Sequence, residues 1–453
     1  MLTVPAALEL LTDVISDARR AGATAADAVF VGDAAIQASV RQGKLEEIER
    51  SEGAFIDLRV FVGSQTACET TSDLSPQGLS ALVYGAVALA KATPPDPYAG
   101  LAPEELLLKG GLPDLDLDDP TPVSPERLKL DALAAEEAGR SVPGVVNSEG
   151  ASATAGQVTN AMATSHGLAQ GYRTTSHSVT VTTVAKGKGG LERDYDYAVA
   201  RHRSDLEAAE VVGRRAGERT VNRLDPTRLT SERMPVMFDR RLAPCLIGHL
   251  ISAITGTSVA RRTSFLLDAR GERVFAPGVT IREEPLRPRG MRSRPIDGEG
   301  LPTRSVDIVS DGILNTWLLD SASARQLRER PTGHASRGAS GPPGTSVSNV
   351  MLMPGAATPT DILSSVRRGL YVVELTGMSI NGMTGEYSRG AAGFLIENGE
   401  LTRAVSDVMI SSNLKDMFAT MIPADDLELR YGIDAPTVLI PQMTVGGHRF
   451  CSC

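Results

Sequence analysis

Apolar side chains recur every third or fourth residue from 5 to 21, at Leu8, Leu11, Val14, Ile15 and Ala18, and this spacing predicts an amphipathic helix that stops near Gly22. The period then shortens to two. Asp27–Val31, Ile36–Gln42 and Phe55–Val62 read as strands; in the last, Ile56, Leu58, Val60 and Val62 alternate with Asp57 and Arg59, as on an antiparallel strand with one face in water. Ser75 followed by Pro76 is a helix start, and the run to Ala92 is the second helix. The segment TPPDPYAGLAP, 93–103, is a proline-rich boundary.

Beyond the boundary, Ser124 and Pro125 open another helix. Val145–Asn147, Gly156–Thr164 and Tyr172–Val184 are rich in Thr, Ser and Val in the manner of strands, and KGKGG at 186–190 is a turn. A long helix over Asp205–Asn222 ends at Leu224-Asp225-Pro226. From about Met234 short strands dominate: Pro235–Phe238, Ser305–Val309, Ile313–Leu318, Leu370–Leu375, Ala392–Glu397 and Val438–Pro441, with helices at Leu242–Ile254 and Pro359–Arg367. GHASRGASGPPG, 333–344, has no period and reads as a long mobile or functional loop. The pattern predicts an α+β protein: a mixed α/β N-terminal domain (1–103), a central region of helix, strands and long helix (104–228), and a large, mainly β C-terminal domain (229–453).

Composition narrows the functions open to this fold. With 42% hydrophobic residues in 453 the chain can bury a large core, while 4% aromatics, 44 Gly and 27 Pro suit many short elements. A net charge of −9 repels a polyanion, and the densest basic stretch, Arg282–Arg294, has no aromatic residue for base stacking; it reads as a solvated loop, and nucleic acid is not an expected partner. Cys68 and Cys245 sit in apolar surroundings and are expected to be reduced, which places the chain in the cytoplasm. No membrane span and no signal peptide is expected from the N-terminus, where acids and apolar residues alternate.

The search for chemistry finds little. Six histidines (His166, His177, His202, His249, His334 and His448) include no pair at helical i, i+4 spacing, and none is followed by glutamate, so a zinc-gripping HExxH motif is missing. His448 near Cys451 and Cys453 reads as a frayed tail. There is no nucleophile elbow, P-loop or dinucleotide fingerprint. The glycines of Gly377–Gly393 read as tight strand connections that also suit a peptide groove, and Glu283-Glu284 and Asp425-Asp426 read as solvated faces.

A resemblance lies in the order of several phrases: RQGKLEEIERSEGAFIDLRVFVG, TSDLSP before a helix, DPYAGL, MPVMFD, APCLIGHLISAITGTSV, NVMLMPG, SVRRGLYVVELTG, FLIENGELTRAV and PTVLIPQMTVGG. Together they cover nearly the whole chain and resemble the TldD/TldE (PmbA) metallopeptidase family. The resemblance implies a heterodimeric peptidase whose TldD-type subunit carries HExxxH on the helix after the MPVV-like strand, two histidines holding zinc, a glutamate activating water and a later cysteine completing the ligands. Here Gly248, His249 and Ala253 stand at those helix positions, or His249, Leu250 and Ile254 if the register slips by one, and Tyr431 lies where the thiol is sought. The chain therefore resembles the TldE side, with no catalytic and no metal-binding residue of its own and zinc in the TldD-type partner. His249 reads as a structural side chain. Expected substrates are unfolded peptides and the leaders of modified peptides, and a homodimer is expected when the partner is missing. The alternatives are a homodimeric peptide-binding protein without hydrolysis and an independent hydrolase with an unrecognised site.

Overall fold

The structure is a computed structural model describing residues 1–338 and 341–447. His448, Cys451 and Cys453 lie outside the described residues, as do 339–340 of the 333–344 segment. Thr3 and Ser75 cap α1 (Val4–Arg20) and α2 (Pro76–Ala92), each hydroxyl accepting a backbone N–H of the first turn, with proline beside it to preset the helical φ. Between the helices run β1 (Ala25–Arg41), β2 (Lys44–Val62) and β3 (Gln65–Thr71). The strands expected at 27–31 and 36–42 are one. Gly32-Asp33-Ala34-Ala35 has poor strand propensity, but it pairs on both sides in unbroken register, and this sheet context overrides propensity.

After α3 (Pro125–Arg140), β4 (Val145–Thr164) and β5 (Ala169–Gly187) comes β6 (Gly190–Ala200), a strand the sequence pattern did not predict, and then α4 (Ala209–Asn222). The order β3-β2-β1-β4-β5-β6 makes one six-stranded antiparallel sheet, and the β1–β4 pairing, from Asp27 opposite Thr164 to Val40 opposite Ala151, joins residues before and after the proline-rich segment. Even-numbered β1 residues Ala26, Ala28, Phe30, Ala38 and Val40 face the helices: α1 and α2 cover one end with Leu11, Val14, Leu82 and Val83, and α3 and α4 the other with Leu128, Ala132, Val212 and Ala216. The last two helices cross closely, since a Cβ on Gly213 would sit 2.0 Å from the Ala135 carbonyl oxygen.

The C-terminal domain is built on β7 (Glu232–Phe238), β8 (Arg368–Ile380), β9 (Glu386–Glu397), β10 (Glu400–Asn413) and β11 (Val438–Gly447). They follow the order β10-β9-β8-β7-β11, and β10 also pairs with β11, so the sheet closes on itself and among the described residues leaves no long free edge. Its core takes in Phe238, Leu370, Val372, Leu395, Ile410, Ile440 and the lone Trp317, together with α5 (Pro244–Ala253). A smaller five-stranded sheet, which includes Ile281–Glu283, Val306–Ser310 and Val350–Leu352, packs alongside. Among the described residues no helix is long and apolar enough to cross a membrane.

Three expectations about solvent are corrected at the seam between the sheet and this domain. Asp57 and Arg59, the polar face of β2, are 0% and 5% exposed. Arg59 donates to Asp27 (Nε 3.0 Å, Nη2 2.6 Å) and to Glu299 (3.2 Å), and Arg337, from the 333–344 segment, donates to Asp27 (2.8 Å) and Asp57 (Nε 3.1 Å). That segment carries short paired strands, Ala335–Ser336 and Gly344–Thr345, and Arg337 anchors it to the sheet. The Arg282–Arg294 stretch is likewise only partly solvated. Arg282 pairs with Asp307 (2.7 Å), Arg289 with Asp116 (2.6 Å) and Asp205 (2.9 Å), and Arg294 donates to the Ser346 carbonyl (2.5 Å), so these guanidinium groups tie loop to loop and domain to domain. Glu283, expected on a solvated face, is 2% exposed and accepts from Ser348 N–H (2.5 Å) and Oγ (2.6 Å) with His334 Nε2 at 2.6 Å. Burial pushes its carboxyl up, but His334 and Ser348 outweigh burial and hold it below the usual value.

Candidate functional site

Helix α5 follows β7 directly and turns Leu246, Ile247, Leu250 and Ala253 into the core. Its other face presents Gly248, Ser252 and His249. A Cβ built on Gly248 meets no atom within 4 Å, so open space adjoins the helix there. His249 lies edge-on to Tyr387 of β9, ring centroids 5.8 Å apart at 70°. Among the described residues neither His249 Nε2 nor Tyr387 Oη, both buried, has a hydrogen-bond partner. Burial and Arg389 push the His249 imidazole down to about 4, and burial pushes the Cys245 thiol up to about 11 and the Tyr387 phenol up as well.

The β8–β9 hairpin tip and the adjoining strands form the wall of an open groove of about 880 Å³ in front of Tyr387, floored by Ser388, Ser411, Ser412 and Thr444. Gly390 and Gly393 serve close strand contacts here: a Cβ on Gly390 would lie 2.2 Å from Thr376 Oγ1, and one on Gly393 1.8 Å from the Tyr371 carbonyl oxygen, at a register shift of the β8–β9 ladder. Gly382 reaches the groove. Met378 and Met383 at the tip are 85% and 63% exposed.

At neutral pH the thiol and phenol hold their protons and the imidazole is neutral, and among the described residues no carboxylate is hydrogen-bonded to it. Among the described residues no group of three or more His, Cys, Asp and Glu side chains is placed to hold a metal ion. His177, His202 and His334 are spread elsewhere, each beside a carboxylate: Asp119 (3.4 Å), Asp116 (3.1 Å) and Glu283. His166 is solvent-exposed. Tyr431 packs on Tyr197 of β6, ring centroids 4.7 Å apart.

The His249 environment yields an expected result. Because its folded pKa lies below that of a free imidazole, the neutral form is favoured by folding, and this contribution is full above about pH 6.5 and lost as pH falls towards 4. An NMR titration should place the His249 midpoint near 4. A midpoint near 6.5 would contradict the buried packing against Tyr387.

Residues 231–447 match the model of the PmbA/TldA metallopeptidase C-terminal domain, and residues 118–224 that of the central domain of the same proteins. The chain belongs to the PmbA/TldD metallopeptidase family. It is 37% identical over 449 residues to Metalloprotease PmbA of Escherichia coli O157:H7, covering 98% of each chain. Two crystal structures share the fold: one from Bacteroides thetaiotaomicron (TM-score 0.90, 23% identity, 97% of this chain and 98% of that one) and TldE from Thermococcus kodakarensis (TM-score 0.86, 19% identity, 97% and 100%).

Proposed function

We propose that this chain is the zinc-less, TldE-type subunit of a heterodimeric zinc peptidase that cleaves unstructured peptides, the zinc and its activating glutamate residing in a TldD-type partner. The observation that carries the reading is the surface of α5. Where the resemblance seeks two histidines and a glutamate, the helix offers Gly248 with empty space beside it, a single imidazole turned onto Tyr387, and Ala253 in the core. One imidazole and a protonated thiol do not make the three-ligand set of a catalytic zinc. Full-length similarity to a protein named as a metalloprotease supports peptidase work by the assembly, and the open groove with its exposed methionines supports a role in walling a peptide path or meeting the partner.

Elemental analysis of the purified chain tests this directly. The expected result is far less than one zinc per chain. A tightly held equivalent that survives mild chelation and is lost in His249→Ala would overturn the assignment.

A further inference from the structure

The barrel closes on itself, but among the described residues the six-stranded sheet ends at two free edges. One, β3, is seven residues long. The other, β6, is eleven residues long and has neither proline nor lysine, the residues that commonly blunt such an edge. It also carries two large exposed apolar side chains, Leu191 (65%) and Tyr195 (53%). Tyr195 N–H donates to Asp194 Oδ1 (2.8 Å) and the Tyr197 carbonyl accepts from Tyr431 Oη (3.3 Å). The odd-numbered residues of β6 therefore turn their backbone groups away from β5, and among the described residues no other strand pairs with them.

Alongside Leu191–Tyr197 lies a cleft of about 670 Å³, with Arg241, Val373, Glu374 and Tyr431 of the C-terminal domain as its far wall. The lining holds more carboxylates (Glu149, Glu192, Asp194, Asp196 and Glu374) than guanidinium groups (Arg193, Arg223 and Arg241). Asp194 is also met by Arg241 (3.3 Å), and Asp196 by Arg215 and Arg219 of α4, but among the described residues Glu192 (3.9 Å) and Glu374 share Arg223 alone, and burial, then Glu374 and Asp407, push the Glu192 carboxyl up against its pull.

We propose that this cleft binds an extended, basic peptide segment, which adds to the outer edge of β6 as a further strand. The unpaired N–H and C=O groups of Leu191 and Arg193 supply main-chain bonds, Leu191 and Tyr195 supply apolar contact, and a Lys or Arg of the peptide meets the carboxylates around Arg223. The binding is sequence-tolerant along the backbone and selective in charge. It does not rest on the reading of α5, because the cleft belongs to β6 and needs neither zinc nor partner.

The test uses the full chain alone, with chelator present, and two short fluorescein-labelled peptides, one alternating Thr and Lys and the other Thr and Glu. Fluorescence anisotropy should show the Lys peptide binding tighter by on the order of tenfold. Hydrogen exchange should slow over 190–199 when it binds. Arg193→Pro removes an outward N–H without touching the β5 ladder, and it should abolish binding while circular dichroism stays unchanged. Should that variant misfold, Glu192→Gln with Glu374→Gln supplies the second arm and should erase the preference for Lys. No binding, equal affinity for both peptides, or a bound Lys peptide that leaves exchange over 190–199 unaltered would each overturn the proposal. None of these outcomes depends on hydrolysis, so its failure leaves the zinc-less reading standing.

Discussion

Arg337→Ala should destabilise the protein by about 3–5 kcal/mol, the largest effect expected of any single substitution outside the barrel core. Arg337 is 3% exposed at its side chain and bridges Asp27 and Asp57, both fully buried. Without it, among the described residues Asp27 keeps only Arg59 and Asp57 keeps the Thr70 hydroxyl at 3.1 Å but no paired cation, so a carboxylate is left uncompensated in a dry site. Arg337→Lys should fall between, since an ammonium keeps the charge but not the forked geometry that reaches two carboxylates. A chain of two packed regions need not unfold in one step, so two probes are needed. Trp317, the single tryptophan and 6% exposed, reports the C-terminal core, while circular dichroism reports the whole. In urea the two transitions should coincide in the wild type and separate in the variant. A loss below about 1 kcal/mol would mean the network contributes no more than a surface pair.

The same network sets a pH dependence. Burial pushes the Asp27 carboxyl up, but Arg337 and Arg59 outweigh it and hold it at about 2. A depressed carboxylate pKa contributes stability that is present above the ordinary value and lost as pH falls through the folded one, here about 2 kcal/mol between roughly pH 4 and 2. Asp297 acts with the opposite sign: burial, then Glu299, raises it to about 6, so its cost is relieved as pH falls from 6 to 4. The gap between wild type and Arg337→Ala should therefore narrow in strong acid, where Asp27 is protonated in both.

Mixing with an HExxxH-bearing TldD-type subunit is the second large effect. Cleavage of an unstructured peptide should rise about 100-fold or more above either chain alone, because positioning a zinc-activated water and its glutamate needs residues that α5 does not hold. His249→Ala should reconstitute nearly full rate. The imidazole is neutral, has no acidic partner among the described residues and packs on Tyr387, so its loss should cost about 1–3 kcal/mol of stability and leave the rate nearly unchanged. Rate against peptide concentration for the wild-type and variant pairs separates capture from turnover. Hydrolysis by this chain alone, persisting after exhaustive chelation, would sink the partner-subunit reading and favour an independent hydrolase.

The elements that the sequence determined are those with a local cause. Ser75-Pro76 and Ser124-Pro125 start helices because capping and a preset φ act within one turn, and the Ile56-Leu58-Val60 alternation makes a strand because the pleat has period two. The family was legible from the order of its phrases. What the tertiary structure decided is where water stops. Asp57 and Arg59 carry the pattern of a solvated face, yet the C-terminal domain brings Glu299 and Arg337 over them from more than two hundred residues away. β6 escaped prediction because its alternation is inverted: Asp194 and Asp196 are its buried positions, made tolerable by Arg215, Arg219 and Arg223 of α4 and its C-cap, while Leu191 and Tyr195 face out. Periodicity measures hydrophobicity along one strand, and a charge neutralised from another element is invisible to it.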